Sequence, residues 1–269
     1  MASRDGPTCS ASMAVRFWGV RGSIACPGPN VARYGGNTPC VELICGRHTL
    51  IFDAGTGIRQ LGHALIKAAN TTDFDIFLSH GHIDHVVGLP FFAPLFVKDQ
   101  VVRVWGGNLQ AAGGVKQAVR KLMSFPFFPL QVDALQARLE FNDFSAGDTI
   151  NPQPGITLRT APLNHPGGAT GYRVDFNGSS VAYVTDIEIG AGPLDPLLGQ
   201  DRGGEAQSLQ GEEHAAGGVD VVIGEVEPFD RRVLEVDAAT LPHLGEQPLL
   251  DRPVEVLRSP REVLGLDRV

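Results

Sequence analysis

A dense cluster of metal-competent side chains near residue 80 constrains the fold of this chain more than any other sequence feature. Within six residues the cluster contains His80, His82, Asp84 and His85. The apolar run before it, Phe74–Leu78, predicts a short buried strand. If the chain leaves that strand in an extended conformation, the side chains of His80, His82 and Asp84 lie on one side of it. His85 then lies in the turn that follows. Imidazole and carboxylate groups suit Zn²⁺, and the carboxylate also admits manganese or iron. We therefore expect a fold that leaves the end of a buried strand open to a metal ion.

The length and composition of the chain favour one large α/β domain. A chain of 269 residues can bury a sizeable core, and 43% hydrophobic against 19% charged residues excludes a largely disordered protein. The formal net charge of −8 disfavours a protein that holds nucleic acid or a membrane surface through its overall charge, although a local basic patch stays compatible with it. No apolar run is long enough to span a bilayer, so we expect a soluble protein without a membrane partner.

The cysteines do not form a disulfide framework. They contain no Cys-x-x-Cys pair, and their positions are Cys9, Cys26, Cys40 and Cys45. This pattern fits the reducing cytoplasm better than a secreted, disulfide-stapled fold. We expect Cys40 and Cys45 to be small apolar residues in or beside a strand rather than metal ligands.

Short apolar segments predict many strands and a few helices. Helical spacing of apolar residues predicts helices at 58–66 and 109–123. Two aromatic, proline-containing stretches, 89–97 and 125–129, favour core burial, but a lid or a homodimer surface stays open. Residues 1–12 carry no pattern and predict a disordered extension. The predicted strands cover residues 15–20, 40–45, 49–52, 74–78, 101–105, 137–141, 156–161, 171–176, 181–185 and 219–223.

Three side chains outside the cluster are further candidates for a site. Asp53 ends a predicted strand in the turn Asp53-Ala-Gly-Thr-Gly57, where a buried carboxylate that braces the metal loop is favoured over a direct ligand. A glycine-rich turn before a helix can also hold a phosphate, but this turn lacks the glycine spacing and the lysine of a nucleotide-binding loop. His165 lies in a glycine-opened loop, and Asp186 ends a strand, where the sites of α/β proteins commonly lie.

The order of these residues resembles that of the metallo-β-lactamase fold superfamily. The segment His80-Gly-His-Ile-Asp-His85 matches the His-x-His-x-Asp-His motif of that superfamily, and Asp53, His165 and Asp186 fall in the expected order around it. Three further segments resemble the branch of cyclic-phosphate phosphodiesterases and transfer-RNA 3′-end nucleases. They are Phe17-Trp-Gly-Val-Arg-Gly-Ser23, Tyr34-Gly-Gly-Asn-Thr38 and Asn164-His-Pro-Gly-Gly168.

The resemblance implies a fold and a metal centre. The fold is an α/β protein, an αβ/βα sandwich of four layers over residues 13–223, in which two sheets are faced by helices and the site lies at one edge. The resemblance also implies two divalent metal ions, zinc first and manganese as the alternative. The first would be bound by His80, His82 and His165. The second would be bound by Asp84, His85 and Asp186, with Asp186 bridging the two.

The resemblance further implies the metal-dependent hydrolysis of a phosphodiester. Paired metals can activate water and polarise a phosphoryl oxygen, and Asp84 is the expected catalytic residue. The acidic net charge favours a small or cyclic phosphodiester as the substrate. RNA 3′-end cleavage, with a nucleic acid as partner, is the alternative.

The carboxyl-terminal part departs from the family pattern. After one more strand, that pattern has a further histidine that completes the second metal site. Residues 224–269 are charged and proline-interrupted, and their single histidine, His243, follows a proline. We expect this segment to be divergent or frameshifted. If the last ligand is missing, the alternative function is that of a catalytically impaired binding protein with the same fold.

Overall fold

The computed structural model describes residues 13–31, 34–69 and 73–186, together with the backbone of three short strands at 219–224, 234–235 and 254–255. The predicted extension at residues 1–12 lies outside the described residues, as does most of the segment 224–269 with His243. Among the helices within these ranges, none is long and apolar enough to cross a membrane.

In the described part of the chain, the strands form two sheets. The strands are β1 Met13–Gly19, β2 Cys40–Cys45, β3 His48–Phe52, β4 Phe74–Leu78, β5 Val101–Gly106, β6 Arg138–Asp143, β7 Thr149–Gln153, β8 Ile156–Leu163, β9 Ala169–Phe176, β10 Ser179–Thr185, β11 Val219–Gly224, β12 Leu234–Glu235 and β13 Val254–Glu255. The first sheet has the order β13-β1-β2-β3-β4-β5-β6, and the second has the order β12-β11-β10-β9-β8-β7.

The direction of the strands differs between the sheets. Strands β3 to β6 of the first sheet run parallel to one another, whereas every pair in the second sheet is antiparallel. The carboxyl ends of β4 and β5 therefore lie at the same edge of the first sheet. Because the histidine cluster follows β4, this edge carries the candidate metal ligands.

Strand β4 is buried on both faces, which explains why all of its residues except Asp75 are apolar. Phe74, Ile76 and Leu78 pack on the helical side, whereas Phe77 joins the core between the two sheets. In that core, the ring of Phe52 lies 5.5 Å from the rings of Phe77 and Tyr172 and 5.3 Å from the ring of Tyr183. These aromatic contacts join the sheets face to face.

Helices cover the outer face of the first sheet. Helix α1 is Gly57–Lys67, α2 is the single turn Ile83–Val86, and α3 is Val115–Leu122. Helix α1 buries Ile58, Leu61 and Leu65 against this sheet, and α3 buries Val115 and Val119. This helical spacing of apolar residues is what the amphipathic pattern requires.

The α/β sandwich that the sequence predicts is confirmed, with its two sheets and the helical layer on the first. On the outer face of the second sheet, four residues form a small buried cluster, Ala161, Leu163, Ala169 and Val184. Cys40 and Cys45 are free, buried residues of β2, as predicted.

One predicted helix is shorter in the structure than expected, and one strand of the structure was not predicted. The helix expected at 109–123 begins only at Val115. Gly113 and Gly114 have φ values of +91° and +85°, and an α-helix cannot run through residues in this conformation. Strand β7 was not predicted, because Thr149–Gln153 holds a proline and little apolar sequence. It lies at the edge of the second sheet, where a proline is tolerated.

The two aromatic stretches are only partly buried. Phe92 is inside the core, and Phe91 contacts Phe128 edge to face with 5.6 Å between ring centroids. Phe125 and Phe127 are 86% and 85% exposed. Core burial, the favoured explanation, is therefore wrong for these two rings. A lid or a homodimer surface stays a prediction.

A buried carboxylate ties the two sheets together below the site. Asp75 of β4 is 1% exposed and accepts hydrogen bonds from Arg103 Nε at 2.8 Å and from Trp105 Nε1 at 2.9 Å, both on β5. Gln153 of β7 donates to it across the sheet interface, at 2.7 Å. Each oxygen of this charge is thus compensated, which a buried carboxylate requires.

We predict that Asp75→Ala lowers the free energy of unfolding by about 3–5 kcal/mol, because it leaves the half-buried guanidinium of Arg103 without its main partner. Urea denaturation measures the change. The matched control is Asp133→Ala, which breaks a solvent-exposed ion pair with Arg120 and should change stability by less than about 0.5 kcal/mol. Equal losses in the two variants would contradict the structural role of Asp75.

Candidate metal centre

The histidine cluster leaves β4 and enters a one-turn helix. Ser79 and His80 follow the strand directly, His82 has an extended backbone, and Asp84 and His85 lie on α2. The expectation that Asp84 lies on an extended exit is therefore wrong. The turn forms because the loop after β3 clamps it: Ala54 N donates to His85 O at 2.7 Å, and Gly88 N donates to Ala54 O at 2.8 Å.

The clamp depends on a close approach of two backbones. A Cβ atom on Gly88 would lie 2.0 Å from the carbonyl oxygen of Gly55, so no larger residue fits there. The loop after β3 and the helix α2 are thereby held as one unit.

The second sheet supplies two more candidate ligands from loops at its strand ends. His165 follows β8 in a loop opened by Gly167 and Gly168, whose φ values are +84° and +79°. Asp186 follows β10 with a φ of +53°, an unusual conformation for a residue with a side chain. The two sheets meet here, because Thr170 N donates to Ser79 O at 2.8 Å.

The first predicted ligand set is brought together. His80, His82 and His165 each offer a ring nitrogen, and these atoms lie within 4.8 Å of one another. Nε2 of His165 lies 3.0 Å from Nδ1 of His82. Three imidazole nitrogens that converge in this way suit a borderline divalent cation.

The second predicted set, Asp84, His85 and Asp186, lies beside the first, and two of its members form a compact group with His80. Oδ2 of Asp186 lies 2.7 Å from Nε2 of His85 and 3.6 Å from Nε2 of His80. Oδ2 of Asp84 lies 3.5 Å from Nε2 of His85. His80 thus belongs to two compact groups, one with His82 and His165 and one with His85 and Asp186. Asp186 reaches toward both histidines of the second group.

The centre is deep on one side and open on the other. His80 and His85 are each 1% exposed, whereas His82 is exposed to solvent. The side chains of Asp84 and Asp186 are 11% and 12% exposed. A ligand can therefore approach from the side of His82.

A fully buried carboxylate holds the cluster from beneath. Asp53 accepts hydrogen bonds from Ser79 N at 2.7 Å, Ser79 Oγ at 2.8 Å and Tyr183 OH at 2.6 Å. Its Oδ2 also lies 2.7 Å from Nδ1 of His85, which turns Nε2 of that ring toward Asp186. The prediction that Asp53 braces the metal loop is confirmed. Sequence reasoning missed Tyr183 and Ser79, although the hydroxyl of a tyrosine in a buried strand usually has a hydrogen-bond partner.

The electrostatics of the two buried histidines differ. Burial, together with the neighbouring His85, lowers the pKa of His80 to about 4, so this ring is neutral at pH 7. Burial also acts to lower the pKa of His85, but the carboxylates of Asp53 and Asp186 outweigh it and raise that pKa to about 10. Burial acts to raise the pKa of Asp186, but its contact with His85 lowers it. The carboxylates of Asp53 and Asp186 therefore favour a positive charge beside His85.

A divalent metal ion fits these residues. Nε2 of His80 is buried, and among the described residues it has no hydrogen-bond partner. A buried nitrogen is rarely left in this state, and metal coordination satisfies it. The ring is neutral, as a ligand must be, and Asp186 supplies an anionic oxygen beside it.

A loop missed by the sequence analysis also reaches the centre. Ser23, in the segment between β1 and β2, donates its backbone N–H to Oδ2 of Asp84 at 2.7 Å. Its φ of +65° is rarely adopted by serine. The segment Phe17-Trp-Gly-Val-Arg-Gly-Ser23 signalled a family resemblance, but no pattern in it predicted this contact.

A family model described as the beta-lactamase superfamily domain matches residues 48–201. A search among curated proteins returned no match.

Several solved structures are similar to part of this chain. The metallo-β-lactamase fold protein YhfI from Bacillus subtilis is 17% identical, with a TM-score of 0.44, over 63% of this chain and 60% of that one. The short form of human tRNase Z is 18% identical, with a TM-score of 0.45, over 64% and 68%. A diphosphatase from the PhnP family is 17% identical, with a TM-score of 0.43, over 63% and 64%. The chain thus spans 60–68% of the length of these structures.

The matched segment contains every residue of the two ligand groups described above. It covers more than half of the 269 residues of the chain. The protein therefore belongs to the beta-lactamase superfamily, with the metallo-β-lactamase fold.

Proposed function

We propose that this protein is a metal-dependent hydrolase that cleaves a small or cyclic phosphodiester with the help of two divalent metal ions, most readily zinc. One observation carries the proposal. The Oδ2 atom of Asp186 lies 3.6 Å from Nε2 of His80 and 2.7 Å from Nε2 of His85, so a single carboxylate joins the two ligand groups. The superfamily consists mostly of metal-dependent hydrolases, which supports the same reaction class.

Each side chain of the centre has a proposed role. His80, His82 and His165 hold one ion, while Asp84, His85 and Asp186 hold the other. When bound, such a pair supplies an activated water nucleophile and polarises the phosphoryl oxygen under attack. Asp84 accepts the proton of the attacking water, and the N–H of Ser23 fixes its orientation.

An exposed cation in the loop that carries Ser23 supports an anionic substrate. Arg21 lies two residues before Ser23, is exposed, and forms no ion pair with any residue that the structure describes. The net charge of −8 argues against a long polyanion such as RNA, whereas a single diester needs only local compensation.

We predict that the wild-type protein, loaded with zinc and desalted, retains two zinc ions per chain by elemental analysis. His165→Ala removes a ligand from the first set and should lower the content to one. The matched control is His63→Ala on the exposed side of α1, which should retain two. One ion or none in the wild type, without hydrolysis, would instead indicate the catalytically impaired binding protein.

We predict metal-dependent turnover of bis-p-nitrophenyl phosphate by the wild type. Asp84→Ala should lower kcat/KM by about 100-fold or more, since a positioned proton acceptor contributes on that order. The control is Asp133→Ala, which replaces an exposed aspartate that is not part of the candidate centre. This variant should keep wild-type kinetics. A well-folded, zinc-loaded protein without turnover would reject the proposal, and cleavage of precursor transfer RNA alone would favour the RNA alternative.

We predict that Asp53→Asn weakens zinc binding roughly 10- to 100-fold, because the amide cannot accept all the hydrogen bonds that orient Ser79 and His85. Competition with a chromophoric chelator measures the affinity, and circular dichroism checks the fold. Asp133→Asn makes the same chemical change at the surface and should leave the affinity unchanged. Unaltered affinity in a folded Asp53→Asn variant would show that Asp53 does not orient the ligands.

A further inference from the structure

Two isoleucines at the metal centre are exposed to solvent. Ile24 is 71% exposed and directly follows Ser23, whose N–H bonds to Asp84. Ile83 is 59% exposed and directly precedes Asp84. Because neighbouring Cα atoms are about 3.8 Å apart, the two isoleucines flank the same 2.7 Å hydrogen bond at the edge of the centre.

The loop that carries Ile24 is firmly held, so its exposure does not result from a loose segment. Val20 N and Arg21 N both donate to Asn37 O, at 3.1 and 2.9 Å. Cys26 N donates to Gly36 O at 2.9 Å, and a Cβ on Gly36 would lie 1.8 Å from Cys26 O. Backbone hydrogen bonds to Gly36 and Asn37 thus hold the loop on both sides of Ile24.

The end of the segment between β1 and β2 is also fixed, to α1 and to the residue before it. Thr38 N donates to Thr56 Oγ1 at 2.9 Å, and Thr56 N donates to Thr38 Oγ1 at 2.8 Å. Asn37 adds a hydrogen bond to Gln60 on the helix, at 3.1 Å. The sequence Tyr34-Gly-Gly-Asn-Thr38 thereby anchors the loop, and it leaves an apolar side chain in water beside the metal ligands.

Ile83 lies on the open side of the centre. The consecutive residues Gly81, His82 and Ile83 are all exposed, whereas His85 behind them is buried. A substrate that approaches from the side of His82 therefore meets the edge that carries Ile83.

We propose that Ile24 and Ile83 form an apolar subsite that binds a flat, aromatic ester group of the phosphodiester substrate, namely the one that stays on the phosphorus when the leaving group departs. This inference rests on the proposed function and adds a substrate class to it. The metal ligands and Arg21 meet the charged phosphoryl group, and the two isoleucines pack against the aromatic group attached to it. An aromatic ring gains contact area with aliphatic side chains at little cost in conformational entropy, which suits an exposed subsite of this kind.

The test compares two diesters with the same leaving group, bis-p-nitrophenyl phosphate and methyl p-nitrophenyl phosphate. On the zinc-loaded full chain, Ile24→Ser and Ile83→Ser should each raise KM for the first diester by about 3- to 10-fold, the range of one aromatic contact. The value of kcat for both diesters, and KM for the methyl ester, should stay the same. Ile66→Ser on α1, an isoleucine that is 45% exposed, is the matched control and should change neither.

A binding measurement separates the failure of this inference from that of the proposed function. Isothermal titration of the zinc-loaded protein should give tighter binding of phenylphosphonate than of methylphosphonate, and both variants should lose the preference. This outcome would support the subsite even if the wild type hydrolyses neither diester. Equal binding of the two phosphonates, equal effects of the variants on both diesters, or the same effect from Ile66→Ser would overturn the inference.

Discussion

The charge of Asp53 is the interaction on which the centre depends. A carboxylate with no exposed surface is tolerated only if hydrogen-bond donors surround it, and removing one partner of a buried charge typically costs about 3–5 kcal/mol. The donors to Asp53 come from the exit of β4, from α2 and from β10. Docking of the second sheet, formation of the α2 turn and orientation of His85 therefore occur together. The φ of +60° at Asp53 is a local cost that these contacts offset.

The two sheets contribute differently to the centre. The parallel strands of the first sheet form a rigid, buried edge. His80 and His85 lie at this edge, shortly after the end of β4. The antiparallel second sheet supplies its side chains from loop ends, where His165 and Asp186 depend on backbone conformations that glycine or local strain makes accessible. A small shift of one sheet against the other would therefore separate the ligand groups. The aromatic core of Phe52, Phe77 and Tyr183 limits such a shift.

Sequence patterns predicted the strands better than the loops. The run Phe74–Leu78 was recognised because a buried parallel strand is continuously apolar, and α1 was recognised from its helical period. The helical turn at Asp84 was not recognised, because it forms through backbone contacts that involve Ala54 and Gly88. Such contacts produce no periodic pattern in the sequence. The break at Gly113 and Gly114 was visible in the sequence but was outweighed by the apolar spacing around it.

The candidate ligands could be named from motif order, since each follows a strand end. Their shared use of His80 could not be predicted, because the distance between the two groups depends on how the sheets dock. The support from Ser23 was equally invisible, since a backbone N–H carries no side-chain signal. Tyr183 was read as part of an apolar strand, although its hydroxyl reaches Asp53. Local sequence patterns therefore do not predict the contacts of the site that cross the interface between the two sheets.

The division of the ligands between the sheets has a consequence for biosynthesis. The ribosome makes His80 and His82 long before Asp186, and at about 5–20 residues per second the delay is roughly 5–20 s. During that interval the two histidines leave a strand whose second face has no sheet to cover it. The incomplete set then consists of His80, His82, Asp84 and His85, without His165 and Asp186. His165 and Asp186 are made last, so the two ligand groups can come together only after the strands of the second sheet that carry them have been synthesised.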